Sequence, residues 1–281
     1  MTVVFETKTI VHDGFNLSFV DWGNAKSPTI VLMHGLQDCA RSWDTFAASL
    51  AGEYRVIALD SRGHGDSGRP LDRAYGFEEY VSDIGALLDR LHLNDPILVG
   101  HSAGGRYVYT YAARNPHRVR ALVVVDIDPD STNISSASMF DRYLSESDEW
   151  PSIAAVVERL RLRQPQSSDL MLLSQAEVMT KPVRDGSSTR IWKRDRALLE
   201  SYQRPDLWDV WKSIRCPTVV IRGRQSDLLT HHIAVKMRES LPGSLLAELE
   251  GGGHWLYQEH PGAFESAVRW FVDGLDPEFL S

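Results

Sequence analysis

Cysteine is scarce. Cys39 and Cys216 are the only two in a chain of 281 residues, so a disulfide framework is excluded and free thiols in a reducing compartment are expected. Positive charge is short as well. Against 38 Asp and Glu stand 30 Lys and Arg, a net charge of −8. No basic run offsets it, which argues against nucleic acid or an anionic membrane as partner. No apolar stretch approaches the length of a membrane-spanning helix. The opening residues carry Glu6 and Lys8 where a signal peptide would have its apolar region, so no secretory signal is expected. Internal repeats and low-complexity segments are missing too. What remains is 43% hydrophobic and 24% charged, an ordinary globular composition with enough chain to bury a large core. A cytoplasmic protein that acts on a small molecule fits these absences, and its oligomeric state is left open.

The apolar residues come in two alternating patterns. Residues 3–10 and 17–22 read as strands, with Asp13-Gly14 between them as a hairpin turn. Residues 28–33, 54–60, 96–101, 120–126, 217–223 and 245–249 are short apolar runs of the kind buried on both faces of a parallel sheet. Helical spacing separates them, clearest over 77–93, where Val81, Ile84, Leu87, Leu88 and Leu91 share a face. Helices are also expected at 106–114, 233–241 and 263–272. The alternation predicts an α/β fold with a mostly parallel, doubly wound sheet. It stops between Asp130 and Trp211, where no strand is evident and prolines 151, 165, 182 and 205 break several helices. The expected organisation is a core of residues 1–129 and 212–281, interrupted by a helical cap at 130–211.

Chemistry concentrates at Gly100-His101-Ser102-Ala103-Gly104. An apolar strand enters this G-x-S-x-G sequence and a helix leaves it, the context in which a serine is raised on a tight turn as a nucleophile. Gly100 and Gly104 flank Ser102 where a turn of that kind has no room for β-carbons. The helix aims its N-terminal amides at the same point. A serine hydroxyl needs a base oriented by an acid. His254 fits the base, because Gly251-Gly252-Gly253 lets the loop after the last strand bend over the sheet edge. Two aspartates compete as acid. Asp126 ends the strand after the nucleophile helix, where it is held firmly; Asp227 is the alternative, several loop residues after the next core strand. Asp128 is a weaker neighbour. His34-Gly35-Leu36 follows the third strand, so the Leu36 and Ala103 amides are candidates for an oxyanion hole. Gly63-His64-Gly65-Asp66-Ser67-Gly68 formally matches a dinucleotide motif, but Ser61-Arg62 precede it and Arg69-Pro70 follow. A tight loop beside the active site is the better reading, and neither a cofactor nor a metal is expected.

Taken together, His34-Gly35, Asp60 to Ser67, Gly100 to Gly105 and Gly253-His254 resemble the α/β-hydrolase superfamily and its small capped hydrolases. The resemblance covers nearly all of the chain outside 130–211. It implies a serine hydrolase of carboxylic esters or lactones, with an apolar acyl or ring moiety bound under the cap. Asp126-Ile127-Asp128-Pro129 resembles a branch of esterases and lactonases with the acid after the sixth strand, which supports Asp126. Dehalogenases and epoxide hydrolases of this fold have aspartate where Ser102 stands. Ring-cleavage C–C hydrolases show Gly-Pro-Gly where this chain has Gln37-Asp38-Cys39. Hydrolysis of a C–C or amide-like bond in an acidic substrate is the alternative, as is a non-hydrolytic lyase, oxygenase or receptor on the same fold. The acidic substrate would need a pocket cation, and the candidates are Arg159, Arg161, Arg163, Lys193, Arg194 and Arg196.

Overall fold

Each apolar run divides its residues between two cores. The computed structural model describes residues 5–23 and 25–275, so the first two residues of the expected opening strand lie outside the described residues. The strands are β1 (Phe5–His12), β2 (Phe15–Trp22), β3 (Thr29–Met33), β4 (Arg55–Leu59), β5 (Ile97–His101), β6 (Ala121–Val125), β7 (Glu149–Trp150), β8 (Thr180–Pro182), β9 (Arg190–Trp192), β10 (Thr218–Gly223) and β11 (Leu245–Leu249). The helices are α1 (Asp44–Leu50), α2 (Phe77–Arg90), α3 (Ala103–Arg114), α4 (Ile134–Ser145), α5 (Ile153–Arg163), α6 (Asp169–Met179), α7 (Ala197–Glu200), α8 (Trp208–Lys212), α9 (His231–Ser240), α10 (Leu256–Glu259) and α11 (Pro261–Asp273).

Eight strands form one sheet in the order β1-β2-β4-β3-β5-β6-β10-β11. From β4 onward every pairing is parallel, while β1 and β2 run antiparallel at the edge. The β1–β2 turn has positive φ at both Asp13 (48°) and Gly14 (78°), the backbone that lets a two-residue turn match strand twist. In β3, β5 and β6 the period of two sends Val31, Leu98 and Val124 to one face with α2, α3 and α8. It sends Leu32, Val99 and Val123 to the other, with α1, α10 and α11. Strands covered on both sides read as unbroken apolar runs for this reason.

Between β6 and β10 the chain leaves the sheet. The expectation of helices alone is corrected here: β7, β9 and β8 form a small antiparallel sheet beside α4 to α8. Those strands are two or three residues long, too short for a period of two to register. Val156, Leu160, Leu172, Met179 and Trp192 form a separate apolar cluster there, closed against Cys39 of the loop after β3.

A buried aspartate ties this excursion to the sheet. Asp128, just past β6, accepts from Arg204 Nη2 (2.6 Å), Asn133 Nδ2 (2.6 Å) and the Asp130 amide (2.9 Å). Arg106 of α3, itself buried, donates to the carbonyls of Asp128 (2.6 Å), Asp130 (3.2 Å) and Pro205. Asp128 is therefore held in a structural pairing. Removing one partner of such a group strands the other charge in a low-dielectric site.

The return to the sheet is secured by Trp211 of α8. Its ring is fully buried, edge-on to Tyr109 at 5.6 Å, and its Nε1 donates to the Met237 carbonyl at 2.9 Å. Trp211→Ala is expected to lower unfolding free energy by about 3–5 kcal/mol through lost burial and a cavity. Leu162→Ala, at a side chain 83% exposed, should stay within about 0.5 kcal/mol. Urea unfolding with unchanged slopes measures both, and equal midpoints for the two variants would refute this packing assignment.

Candidate active site

The parallel order β3-β5-β6-β10-β11 brings five strand ends to one edge of the sheet. Leu36 follows β3, Ser102 follows β5, Asp126 follows β6, Ser226 follows β10 and His254 follows β11. Residues far apart in sequence thus meet in a row, at the edge where open α/β sheets place their ligand sites.

Ser102 sits at φ 52° and ψ −125°, a conformation that costs a non-glycine residue of order 1–3 kcal/mol. Three backbone bonds hold it there: the Ser102 amide donates to the Val125 carbonyl (3.0 Å), and the Gly105 (2.9 Å) and Arg106 (3.3 Å) amides donate to the Ser102 carbonyl. The flanking glycines answer a real lack of space. A β-carbon on Gly104 would lie 2.5 Å from the His34 carbonyl oxygen, and one on Gly100 2.5 Å from that of Gly104. Helix α3 starts at Ala103, earlier than the helical spacing from Arg106 suggested, so the serine caps the helix directly.

Ser102, His254 and Asp126 come together. His254 Nε2 is 3.1 Å from Ser102 Oγ, and its Nδ1 is 2.7 Å from Asp126 Oδ2. An acceptor carboxylate at Nδ1 places the ring proton there and leaves the Nε2 lone pair facing the serine. The loop that carries the ring is clamped on both sides. His101 Nε2 donates to the His254 carbonyl at 2.8 Å, and the Gly253 amide donates to Glu259 at 2.6 Å. Burial disfavours the imidazolium and holds the His254 pKa well below its ordinary value, with the Arg163 guanidinium adding to the effect. Burial likewise pushes the Asp126 carboxyl up, against the pull of the Ser226 hydroxyl and the Gly223 amide, which both donate to it. Asp227 stays out of this chain of bonds. It is exposed on the rim of a neighbouring hollow, while Ser226 beside it turns inward to Asp126.

Leu36 and Ala103 line the cavity into which Ser102 and His254 open. No backbone acceptor among the described residues takes either amide. The preceding peptide is fixed by His34, whose Nδ1–H donates to the Gly35 carbonyl (2.7 Å) while its Nε2 accepts from the Ser61 amide (3.0 Å). In a trans peptide the Leu36 N–H then points away from His34. The loop at Gly63 to Gly68 stands behind this arrangement. Asp60 accepts from the Ala40 (2.7 Å) and Asp66 (2.9 Å) amides, and buried Arg62 and Asp83 pair at 2.6 Å. No helix opens until Phe77, so the geometry of a dinucleotide site does not form.

The cavity is narrow, with about 20 Å³ of free volume. Met139, Phe140 and Tyr143 of α4, Ile127, and Tyr202 with Arg204 from the approach to β10 make its walls. Arg204 has no local signature in the sequence, because it lies in an irregular stretch and its partner Asp128 is 76 positions away. Trp192 does not reach the cavity: it is buried against Trp150, ring centroids 5.9 Å apart. Five of the six candidate cations pair with carboxylates. Arg159 meets Glu146, Arg161 meets Asp169, Lys193 meets Asp66, and Arg194 and Arg196 meet Asp148. Arg163 instead stacks on Trp255, with its Cζ 4.5 Å from the ring centroid.

Among the described residues, no helix is long and apolar enough to cross a membrane. A family model described as the alpha/beta hydrolase fold matches residues 28–261. The chain is 28% identical to 2-(acetamidomethylene)succinate hydrolase of Mesorhizobium japonicum, over 88% of each chain. It is 27% identical to the sn-1-specific diacylglycerol lipase of Mus musculus, over 89% of this chain and 82% of that one. A crystal structure of E-2-(acetamidomethylene)succinate hydrolase superposes with a TM-score of 0.89 and 26% identity, covering 96% of this chain and all of the other. On fold, strand order and family match together, the chain belongs to the alpha/beta hydrolase family.

Proposed function

We propose that this protein is a serine hydrolase that cleaves a carboxylic ester or lactone through an acyl-enzyme. The observation that carries the reading is the unbroken bond chain from the strained Ser102 through His254 to Asp126. Ser102 Oγ attacks the carbonyl carbon as its proton passes to His254 Nε2. Asp126 keeps the imidazole in the required tautomer and stabilises the imidazolium. The oxyanion forms between the Leu36 and Ala103 amides, at the positive end of α3. Collapse of the intermediate breaks the bond to the leaving oxygen, which takes the proton from His254. Water then repeats the sequence on the acyl-enzyme.

The excursion at 130–211 acts in this reading as a cap, and α4 with Tyr202 supplies an apolar wall for the acyl or ring moiety. The buried thiol of Cys39 and the half-buried Cys216, both unpaired, support a reducing, cytoplasmic setting.

A fluorophosphonate probe should label the wild type and leave Ser102→Ala unlabelled; persistent labelling would remove Ser102 from the nucleophile role. Asp126→Asn should lose kcat by roughly 10⁴ while remaining folded, as when the orienting carboxylate of a triad is removed. Asp227→Asn should keep most of its kcat, and the reverse pattern would exchange the two assignments. Tyr202→Ala should shift preference among acyl chain lengths, whereas Trp192→Ala should change stability without changing the order of preference. A kcat/KM profile should stay level through neutral pH, with its acid limb below the ordinary histidine value of about 6.5, because burial suppresses the charged form of the base. An acid limb above that value would contradict the assigned environment of His254.

A further inference from the structure

Two hollows adjoin the cavity beside Ser102, and they differ in chemistry. On one side Phe140 and Tyr202, stacked at 5.0 Å with planes 26° apart, line both the cavity and an outer groove along α4. On the other side Met139, His254 and Trp255 line both the cavity and a second hollow whose wall carries Arg142 and Arg163. The His254 ring lies between the cavity and the cationic hollow and borders both.

Arg163 is poorly compensated where it lies. Its Nη2 reaches only Gln164 Oε1 at 3.4 Å and Met179 Sδ at 3.7 Å, and its buried Nε has no partner. Arg142 is exposed and makes no side-chain hydrogen bond or ion pair among the described residues. The hollow also contains two acids. Glu259 is committed to the Gly253 amide at 2.6 Å, and Asp227 stands at the exposed rim. A guanidinium fixed on an aromatic face with an unsatisfied donor is suited to a ligand that brings the missing negative charge.

Direction follows from proton transfer. In the reaction proposed above, on which this inference rests, His254 Nε2 hands its proton to the leaving oxygen. The leaving group therefore departs on the side of His254, toward the arginines, while the acyl chain lies toward Phe140 and Tyr202. We infer that the preferred substrate is an ester of an apolar acid whose leaving alcohol carries an anionic group, held by Arg163 and assisted by Arg142.

Four probes of one acyl size test this. They are the butyrate esters of 4-methylbenzyl alcohol, of 4-(hydroxymethyl)benzoate and of 4-(hydroxymethyl)phenyl phosphate, and the benzyl hemiester of succinate. The first is neutral, the next two place a carboxylate or a phosphate on the leaving group, and the last places the charge on the acyl side. At low salt, kcat/KM for a charged leaving group should exceed that for the neutral ester by roughly ten- to a hundredfold, the range for a hydrogen bond to a charged group. The advantage should shrink with added salt. The better of the two charged esters identifies the anion as carboxylate or phosphate. Arg163→Met should bring the charged-to-neutral ratio to within about twofold of one, and Arg163→Lys should retain part of it. Arg161→Met, at a partly exposed residue paired with Asp169, should leave the ratio unchanged. A preference for the hemisuccinate, no preference for charge, or a ratio that survives Arg163→Met overturns the inference while the hydrolase reading stands. Loss of activity toward all four esters overturns the hydrolase reading and this inference with it.

Discussion

A strained serine at the end of β5 is the constraint on which the rest of this molecule depends. Ser102 occupies a backbone region that is unfavourable by of order 1–3 kcal/mol for a residue with a side chain. It stays there because β6 accepts its amide and α3 starts on its carbonyl. That junction needs β3, β5 and β6 as immediate neighbours, and it needs α3 close enough that Gly104 touches the backbone of β3. The cost at one residue is thus met by packing spread over the whole central sheet. A hydroxyl held this way loses little freedom when it reacts, which is the use of preorganisation in catalysis.

Local signals made much of this legible in the sequence. The glycines around Ser102, the apolar run before it and the glycine-rich loop at His254 each act within a few residues, so their geometry follows from their own neighbourhood. The same holds for Asp13-Gly14, where two positive φ values fulfil the turn signal. The acid was less legible because both aspartates follow strands that end on the same sheet edge. What separates them is the inward turn of Ser226 to Asp126, a contact between residues 100 positions apart. The Arg204–Asp128 pair spans 76 positions, and the stacking of Arg163 on Trp255 joins α5 to the histidine loop. None of these has a local signature. The small sheet of β7, β8 and β9 escaped for another reason: two or three residues do not establish a period.

Electrostatics in the site follow the same division between near and far. Asp126 and His254 are both buried, so each would titrate toward its neutral form alone. Donors from β10 and its following loop support the carboxylate, and the carboxylate in turn fixes the ring. The pair is built by three strands, and no single loop contains it.

The short stretch past β6 carries two acids with different employment. Asp126 faces the histidine, and Asp128 secures Arg204, Asn133 and, through the nearby carbonyls, Arg106. The segment that walls the cavity is thereby welded to the reactive edge at the one place where the reactive edge is least tolerant of movement. In evolutionary terms the fold is only partly modular. Side chains facing the cavity from α4 make none of the hydrogen bonds that hold Ser102, His254 and Asp126, so changes there retune what fits without displacing the reactive groups. The hinge past β6 has no such freedom, since any change that repositions the wall there also moves the carboxylate that orients the base.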